Sequence, residues 1–152
     1  MIRAATELDL EALELIENEC FLDPYKREQL LYELNENPVN KILLLIEDDK
    51  VIGFIDYMVT FNSATITQIG VLSSYRRGGK GSLLMDAMLD SLPSVNDYDS
   101  EDDSVVETIT LEVRVSNTPA INFYHKYGFE DVVIKKNYYR DGEDAIYMMK
   151  RI

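Results

Sequence analysis

Three apolar runs rich in β-branched residues follow one another in the middle of the chain, separated only by short polar turns. The runs extend from Lys41 to Glu47, from Val51 to Phe61 and from Ala64 to Leu72. The turns between them are Asp48-Asp49-Lys50 and Asn62-Ser63. A turn of two or three residues joins antiparallel neighbours, because a parallel crossover needs a dozen residues or more. The pattern therefore predicts a β-hairpin followed by a third strand.

Helices are predicted on both sides of this strand block. Glu7 to Cys20 places apolar residues in one stripe between carboxylates, which is typical of an amphipathic helix. A second helix is predicted from about Pro24 to Glu36, with Pro38 ending it. The stretch from Tyr75 to Leu92 opens with glycines and continues as a third amphipathic helix.

The second half of the chain alternates between the two kinds of element. Its predicted elements are a strand from Val105 to Val115, a helix from Thr118 to Tyr127, a strand from Gly128-Phe129 to about Asn137 and a strand from Ala145 to Arg151. An acidic loop insertion is expected at about residues 94–104. We expect residues 1–152 to form a single domain with helices on both sides of one mixed sheet.

The charge of the chain limits its partners. Lys and Arg number 15 against 28 Asp and Glu, which gives a formal net charge of −13. This surplus of carboxylates argues against nucleic acid, whose phosphates are bound by basic residues, and against an anionic membrane. It favours a basic partner. The N-terminus lacks the apolar core of a secretory signal and no apolar run reaches ~20 residues, so we expect a cytoplasmic protein.

The single cysteine, Cys20, excludes an internal disulfide and a multi-cysteine zinc site, and no metal is expected.

A glycine-rich turn precedes the third predicted helix. It reads Tyr75-Arg76-Arg77-Gly78-Gly79-Lys80-Gly81-Ser82. Glycines let successive backbone N–H groups turn toward an anion, and a helix N-terminus adds partial positive charge. The turn suits a phosphate or pyrophosphate, although an ordinary turn with solvated arginines fits the spacing equally well. It matches neither GxxxxGK[ST] nor GxGxxG, which disfavours a nucleotide hydrolase or a dinucleotide enzyme.

Three sequence blocks resemble the GCN5-related N-acetyltransferase (GNAT) family. Residues 76–81 resemble the [Q/R]xxGx[G/A] signature, and residues 111–117 and 120–129 resemble the family's later strand and helix. Asn137-Tyr138-Tyr139, followed by Gly142 to Ala145, is similar to the ending of the N-terminal acetyltransferase branch. The resemblance implies an α/β (α+β) GNAT fold, with one mixed, mostly antiparallel sheet of about seven strands flanked by about four helices.

The resemblance also implies an enzyme that uses acetyl-CoA as co-substrate. The glycine turn would hold the pyrophosphate, and the pantetheine arm would bond the backbone of a strand segment and the side chain of Asn117, which also caps a helix. The residues expected to bind acetyl-CoA are Ile69, Gly70, Val71, Arg76, Arg77, Gly78, Gly79, Lys80, Gly81, Ser82 and Asn117. Gly78 stands where related enzymes often carry an arginine, which removes one possible phosphate contact.

Two residues are expected to perform the chemistry. An amine must lose a proton before it attacks a thioester, and Glu112 is the candidate base because it interrupts an otherwise apolar strand. Without the resemblance, a strand glutamate that faces solvent or pairs with Arg114 is the simpler interpretation. Tyr124 is the candidate acid, since the family places a tyrosine near the CoA sulfur. The lack of an activated cysteine favours direct transfer.

The resemblance implies that the acceptor is the N-terminal α-amine of a protein, with a ribosomal protein that begins with alanine as the expected substrate. Tyr138 and Tyr139 are expected to bind its basic N-terminal peptide. A small-molecule amine or a lysine side chain remains an alternative acceptor, and a non-catalytic acyl-CoA-binding module is an alternative of another class. The oligomeric state, monomer or dimer, is left open.

Overall fold

The structure is a computed structural model that describes residues 1–93 and 105–152. The described residues contain four helices, namely α1 (Leu10–Cys20), α2 (Arg27–Asn35), α3 (Lys80–Ser91) and α4 (Thr118–Lys126). They also contain seven strands, namely β1 (Ile2–Ala4), β2 (Asn40–Glu47), β3 (Lys50–Thr60), β4 (Ser63–Val71), β5 (Thr108–Arg114), β6 (Glu130–Lys135) and β7 (Ala145–Arg151). The predicted acidic loop at 94–104 lies outside the described residues.

The seven strands lie in one sheet in the order β1-β2-β3-β4-β5-β7-β6. With four helices beside it, this sheet confirms the predicted fold class. The short strand β1 was not predicted, because three residues are too few for a periodic pattern. It pairs antiparallel with β2, with Ile2 opposite Leu45. Among residues 1–93 and 105–152, no helix is long and apolar enough to cross a membrane.

The described chain divides into two compact units, and the first comprises residues 1–59 and 66–93. Within it, β2 pairs antiparallel with β3, as the short turn predicted, and also with β1. Helices α1 and α2 bury their apolar stripes against β2 and β3. The buried cluster formed there consists of Leu10, Leu13, Ile16, Leu30, Ile42, Leu44, Phe54 and Leu72. The opposite face of β3 meets α3, where the hydroxyls of Tyr57 and Ser91 lie 2.7 Å apart.

Two carboxyl groups, those of Glu17 and Asp56, are almost completely buried inside the first unit. Glu17 on α1 has 0% exposure, and its Oε2 accepts hydrogen bonds from the Tyr25 backbone N–H at 2.9 Å and from Gln68 at 3.1 Å. Asp56 on β3 is 1% exposed, and neither of its carboxyl oxygens has a hydrogen-bond partner among the described residues. Burial, followed by the charge of Glu33, raises the pKa of Asp56 to about 7.

The second unit comprises, within the described chain, residues 60–65 and 105–152. Strand β7 pairs antiparallel with both β5 and β6, so that Tyr147 lies opposite Glu112 on one side and Val133 on the other. A register shift between Asp131 and Val133 marks a β-bulge in β6. Strand β5 carries Glu112, the predicted base, and helix α4 of the same unit carries Tyr124, the predicted acid.

Helix α4 of the second unit begins as predicted. The Asn117 side chain accepts a hydrogen bond from the Ala120 N–H at 3.3 Å, which confirms the capping role.

Candidate active site

The glycine turn enters α3 through two residues with positive φ. Gly78 has φ +89° and Gly79, the N-cap residue of α3, has φ +74°. An added Cβ at either position would meet no atom within 4 Å, so the turn leaves open space over its backbone. The N-cap residue Gly79 makes no side-chain cap hydrogen bond. Backbone amides beside open space at a helix N-terminus fit a pyrophosphate.

The three basic residues of this turn have different surroundings. The Arg76 Nε–H donates to the Val71 carbonyl at 2.8 Å, so this guanidinium holds the turn against the end of β4. Lys80 forms an ion pair with Glu47, with Nζ and Oε2 2.5 Å apart. Arg77 has no hydrogen bond or ion pair with another described residue. Of the three predicted phosphate ligands, only Arg77 is therefore uncommitted within residues 1–93 and 105–152.

The strand segment Ile69-Gly70-Val71, predicted to bond the pantetheine arm, is tightly packed on one face. A Cβ added to Gly70 would lie 3.1 Å from the Phe21 ring and 3.4 Å from the Sγ of Cys20. On the neighbouring strand, a Cβ added to Gly53 would lie 2.8 Å from the Gly70 carbonyl oxygen. Glycine is required at Gly53 because the backbone of β4 comes this close.

Glu112, the predicted base, is half-buried on β5, with a side-chain exposure of 19%. Its Oε1 lies 2.7 Å from the Nζ of Lys135 on β6. The alternative in which Glu112 pairs with Arg114 is wrong, since Arg114 binds Asp141 at 2.8 Å and Glu143 at 3.0 Å.

Lys135 was not among the residues predicted for the site. It reaches Glu112 across the intervening strand β7, and no local spacing of residues reveals that contact.

Tyr124, the predicted acid, is buried on α4 with 6% exposure. Its ring makes edge-to-face contacts with Phe123 and Phe129, at centroid distances of 5.6 and 5.7 Å. Burial, with a smaller contribution from Tyr139, raises the pKa of the Tyr124 phenol. The hydroxyl therefore keeps its proton at neutral pH, as a hydrogen-bond donor must.

Tyr138 and Tyr139 lie in the turn between β6 and β7, with ring centroids 5.0 Å apart. The Arg114 guanidinium stacks on the Tyr139 ring at 4.0 Å. Burial raises the pKa of Tyr139 to about 12. The Asn137 N–H donates to Asp144 at 2.9 Å, which fixes the start of the turn.

Within the second unit, the structure brings several predicted residues together. Lys135 lies between Glu112 and the ring of Tyr138, and the charge of Glu112 contributes to the raised pKa of Tyr138 after burial. Within the first unit, the end of β4 and the glycine turn are joined through Arg76. The roles of all these residues, and of Gly81, Ser82 and Asn117 toward acetyl-CoA, stay predictions.

The acetyltransferase (GNAT) family matches residues 10–129 of the chain. The chain belongs to the GNAT family. Because this family is defined by acetyl transfer from acetyl-CoA, the protein is an acetyl-CoA-dependent N-acetyltransferase.

Named relatives cover most of the chain. The ribosomal protein bS18-alanine N-acetyltransferase of Salmonella typhimurium is 34% identical over 143 residues, which cover 92% of this chain and 89% of the relative. The N-alpha-acetyltransferase of Saccharolobus solfataricus is 40% identical over 118 residues, which cover 70% of this chain and 65% of the relative. The crystal structure of the Escherichia coli ribosomal-protein-S18-alanine N-acetyltransferase superposes with a TM-score of 0.84 at 30% identity, covering 100% of this chain and 93% of that one.

Proposed function

We propose that this GNAT protein acetylates the N-terminal α-amine of a protein, and that its acceptor is a ribosomal protein beginning with alanine. The observation that carries the proposal is the surroundings of Glu112. A half-buried carboxylate lies 2.7 Å from a primary ammonium, beside two tyrosine rings, and therefore offers the contacts that an N-terminal ammonium needs. Relatives named for bS18 alanine and for N-alpha acetylation support the choice of acceptor.

The acceptor's own acidity favours an α-amine. A free α-amino group has a pKa of ~8 against ~10.4 for a lysine side chain. At pH 7 its deprotonation costs about 1.4 kcal/mol, compared with about 4.6 kcal/mol for lysine. One carboxylate can take up that proton, directly or through a water molecule. Glu112 Oε1 and Oε2 are the atoms that would receive it.

The first unit would hold the co-substrate. Gly78 and Gly79 leave space over their backbone at the N-terminus of α3, and Arg77 adds a positive charge that no other described residue pairs with. Acetyl-CoA, when bound, supplies the acetyl group as a thioester. The backbone of Ile69 to Val71 would hold the pantetheine arm.

Tyr124 would act through its hydroxyl hydrogen. Because burial raises the pKa of this phenol well above that of a thiol (~8.5), complete proton transfer to a thiolate is unfavourable. The Tyr124 O–H therefore donates a hydrogen bond to the sulfur and stabilises charge there, without leaving as a proton.

The net charge of −13 suits a basic acceptor, and we also propose that the protein works in the cytoplasm, where ribosomal proteins are made.

The test is a direct assay of the full chain with acetyl-CoA. One peptide begins Ala-Arg with a free N-terminus, and the other has the same sequence with a blocked N-terminus and an added lysine. We expect acetylation of the first peptide at its α-amine, located by mass spectrometry. Acetylation of the lysine peptide alone would contradict the α-amine proposal. Transfer only to small amines such as polyamines would contradict the protein acceptor.

A further inference from the structure

Lys135 is in contact with the carboxylate of Glu112, the proposed base, although the proposed reaction does not require a lysine there. Its Nζ lies 2.7 Å from Glu112 Oε1, 4.7 Å from the centroid of the Tyr147 ring and 5.5 Å from that of Tyr138. A carboxylate and two aromatic faces around one ammonium form the arrangement that proteins use to bind alkylammonium ligands. In the structure, the Lys135 ammonium of the protein itself lies in this arrangement.

The Lys135 ammonium carries a firm positive charge. Its hydrogen bond to Glu112 is the main cause that raises the pKa of Lys135. A lysine that stays protonated is not a nucleophile, so Lys135 does not act as an acetyl acceptor. As a cation, it can only compete with another ammonium for the contact with Glu112.

The exposures of the two partners indicate which one can move. The Glu112 side chain is 19% exposed and sits on a central strand, whereas the Lys135 side chain is 40% exposed and lies on the edge strand β6. A flexible, exposed lysine can turn its ammonium toward water at little cost. The half-buried Glu112 carboxylate is less able to turn toward water, so a positive partner stabilises it while the acceptor is absent.

We propose that Glu112, Tyr138 and Tyr147 form an ammonium subsite that Lys135 occupies until the α-ammonium of an acceptor displaces it. The inference rests on the proposed function, since it assigns the subsite to an acceptor amine. It adds Tyr147 and Lys135 to the residues that determine acceptor affinity. Lys135 occupies the subsite while the acceptor is absent, and it makes the acceptor compete for entry.

The decisive measurement follows the Lys135 side chain directly. NMR of the full chain with ¹⁵N-labelled lysine detects the ε-ammonium groups that are held in ion pairs. CoA is added at saturation, and an Ala-Arg peptide is titrated in with a free or an N-acetylated terminus. We expect the free peptide to shift the Lys135 signal and the acetylated peptide to leave it unchanged, because only the first carries the competing ammonium. The Lys136 signal, from an ion pair with Asp144, serves as the internal reference.

Kinetics give an independent readout. We expect Lys135→Met to lower the KM for the Ala-Arg peptide about threefold to tenfold with kcat nearly unchanged, since the acceptor no longer displaces a charge. Lys135→Arg restores the competing cation and should return KM toward the wild-type value. Lys136→Met removes the same charge from the adjacent residue and should change neither constant.

The outcomes separate this inference from the proposed function. If the wild type acetylates the free peptide while the Lys135 signal does not move, or if Lys135→Met raises KM or leaves it unchanged, the displacement is wrong and the acetyltransferase proposal stands. If the wild type neither binds nor acetylates the free peptide, the proposed acceptor is wrong, and the subsite assignment fails with it.

Discussion

The glycine turn of the first unit and the Glu112 region of the second unit each contain an ion pair between a lysine and a glutamate. In the turn, Lys80 is 22% exposed and its partner Glu47 is 38% exposed. At Glu112 the exposures are reversed, with 19% for the glutamate and 40% for Lys135. In both pairs, the less exposed partner is the one predicted to meet a ligand. A half-buried charge without a partner is costly, which accounts for the more exposed counter-ion in each pair, and we expect a ligand to replace that counter-ion.

The largest effect is expected at the less exposed carboxylate. Glu112→Gln should reduce kcat by about 100-fold to 10,000-fold, the usual contribution of a general base, and leave CoA binding by calorimetry unchanged. Glu130→Gln, on the exposed strand β6, is the matched control and should keep full activity. Unchanged turnover in the Glu112 variant would remove this residue from the mechanism.

Asp56 is a third carboxyl, and within residues 1–93 and 105–152 it has no counter-ion. It therefore tests what a buried carboxyl does when no positive partner is present. Its pKa is raised from 3.8 to about 7, so the folded state holds a proton that the unfolded state loses between these values. Stability should therefore fall as pH rises from about 4 to 7 and level off above 7. The Asp56→Asn variant lacks this titration. We therefore expect its free energy of unfolding, measured by urea unfolding, to rise by about 2–3 kcal/mol relative to that of the wild type when the pH is changed from 5 to 8.

The control for this experiment is Asp90→Asn on the exposed face of α3. It should shift the unfolding free energy equally at both pH values. An Asp56 variant whose difference from wild type is independent of pH would show that this carboxyl is ionised in the folded state.

The Tyr124 ring packs in the core, and its hydroxyl is assigned to the reaction. Removal of the hydroxyl alone can therefore separate the packing role from the catalytic role. Tyr124→Phe should reduce kcat about 10-fold to 100-fold and change the free energy of unfolding by less than about 1 kcal/mol, because the edge-to-face contacts remain. Tyr32→Phe, on the exposed side of α2, is the control. Equal kcat in wild type and the Tyr124 variant would leave this tyrosine with a packing role alone.

A substitution at Gly79 can strain the backbone of the glycine turn without creating a steric clash. Gly79→Ala places a Cβ on a residue with φ +74° and open surroundings, so the expected loss is about 1 kcal/mol of stability, from backbone strain alone. Asp90→Ala, inside α3 with ordinary helical geometry, should be neutral or slightly stabilising. Both are measured by thermal unfolding. A Gly79 variant as stable as wild type would show that the turn relaxes into another conformation.

The smallest effect concerns the exposed counter-ion of the turn. Glu47→Gln should tighten CoA binding about twofold to threefold at low ionic strength, because Lys80 is then free, and the gain should vanish at high salt. Calorimetry at two salt concentrations measures it, with Glu36→Gln as control. Weaker CoA binding in the Glu47 variant would mean that Glu47 orients Lys80 and does not compete for it.

Sequence reasoning found the elements whose signal is local. Alternating and β-branched runs predicted β2 to β7, and the paired glycines of the turn do take positive φ. Neither lysine–glutamate ion pair could be predicted from the sequence. Lys135 and Glu112 are 23 positions apart and meet across the register of β7, which no single segment encodes. Lys80 meets Glu47 from a different element in the same way.

The strand β6 shows a second limit. Its predicted end at about Asn137 is two residues too long, since β6 ends at Lys135 and Asn137 has a positive φ of 50°. Asp144 accepts the Asn137 N–H at 2.9 Å and so turns the chain there, a contact that depends on the position of β7.

The close packing of Gly70 between the Gly53 strand and Phe21 means that this segment loses its conformational entropy when the chain folds and not when a ligand binds. A strand segment that is packed tightly on one face adopts one conformation when the chain folds. Fixing the backbone of a residue costs roughly 1–2 kcal/mol, so the three residues Ile69 to Val71 give up roughly 3–6 kcal/mol at that moment. A ligand that bonds their backbone later does not have to supply this free energy, and its affinity is higher by the part of the cost that folding has already met.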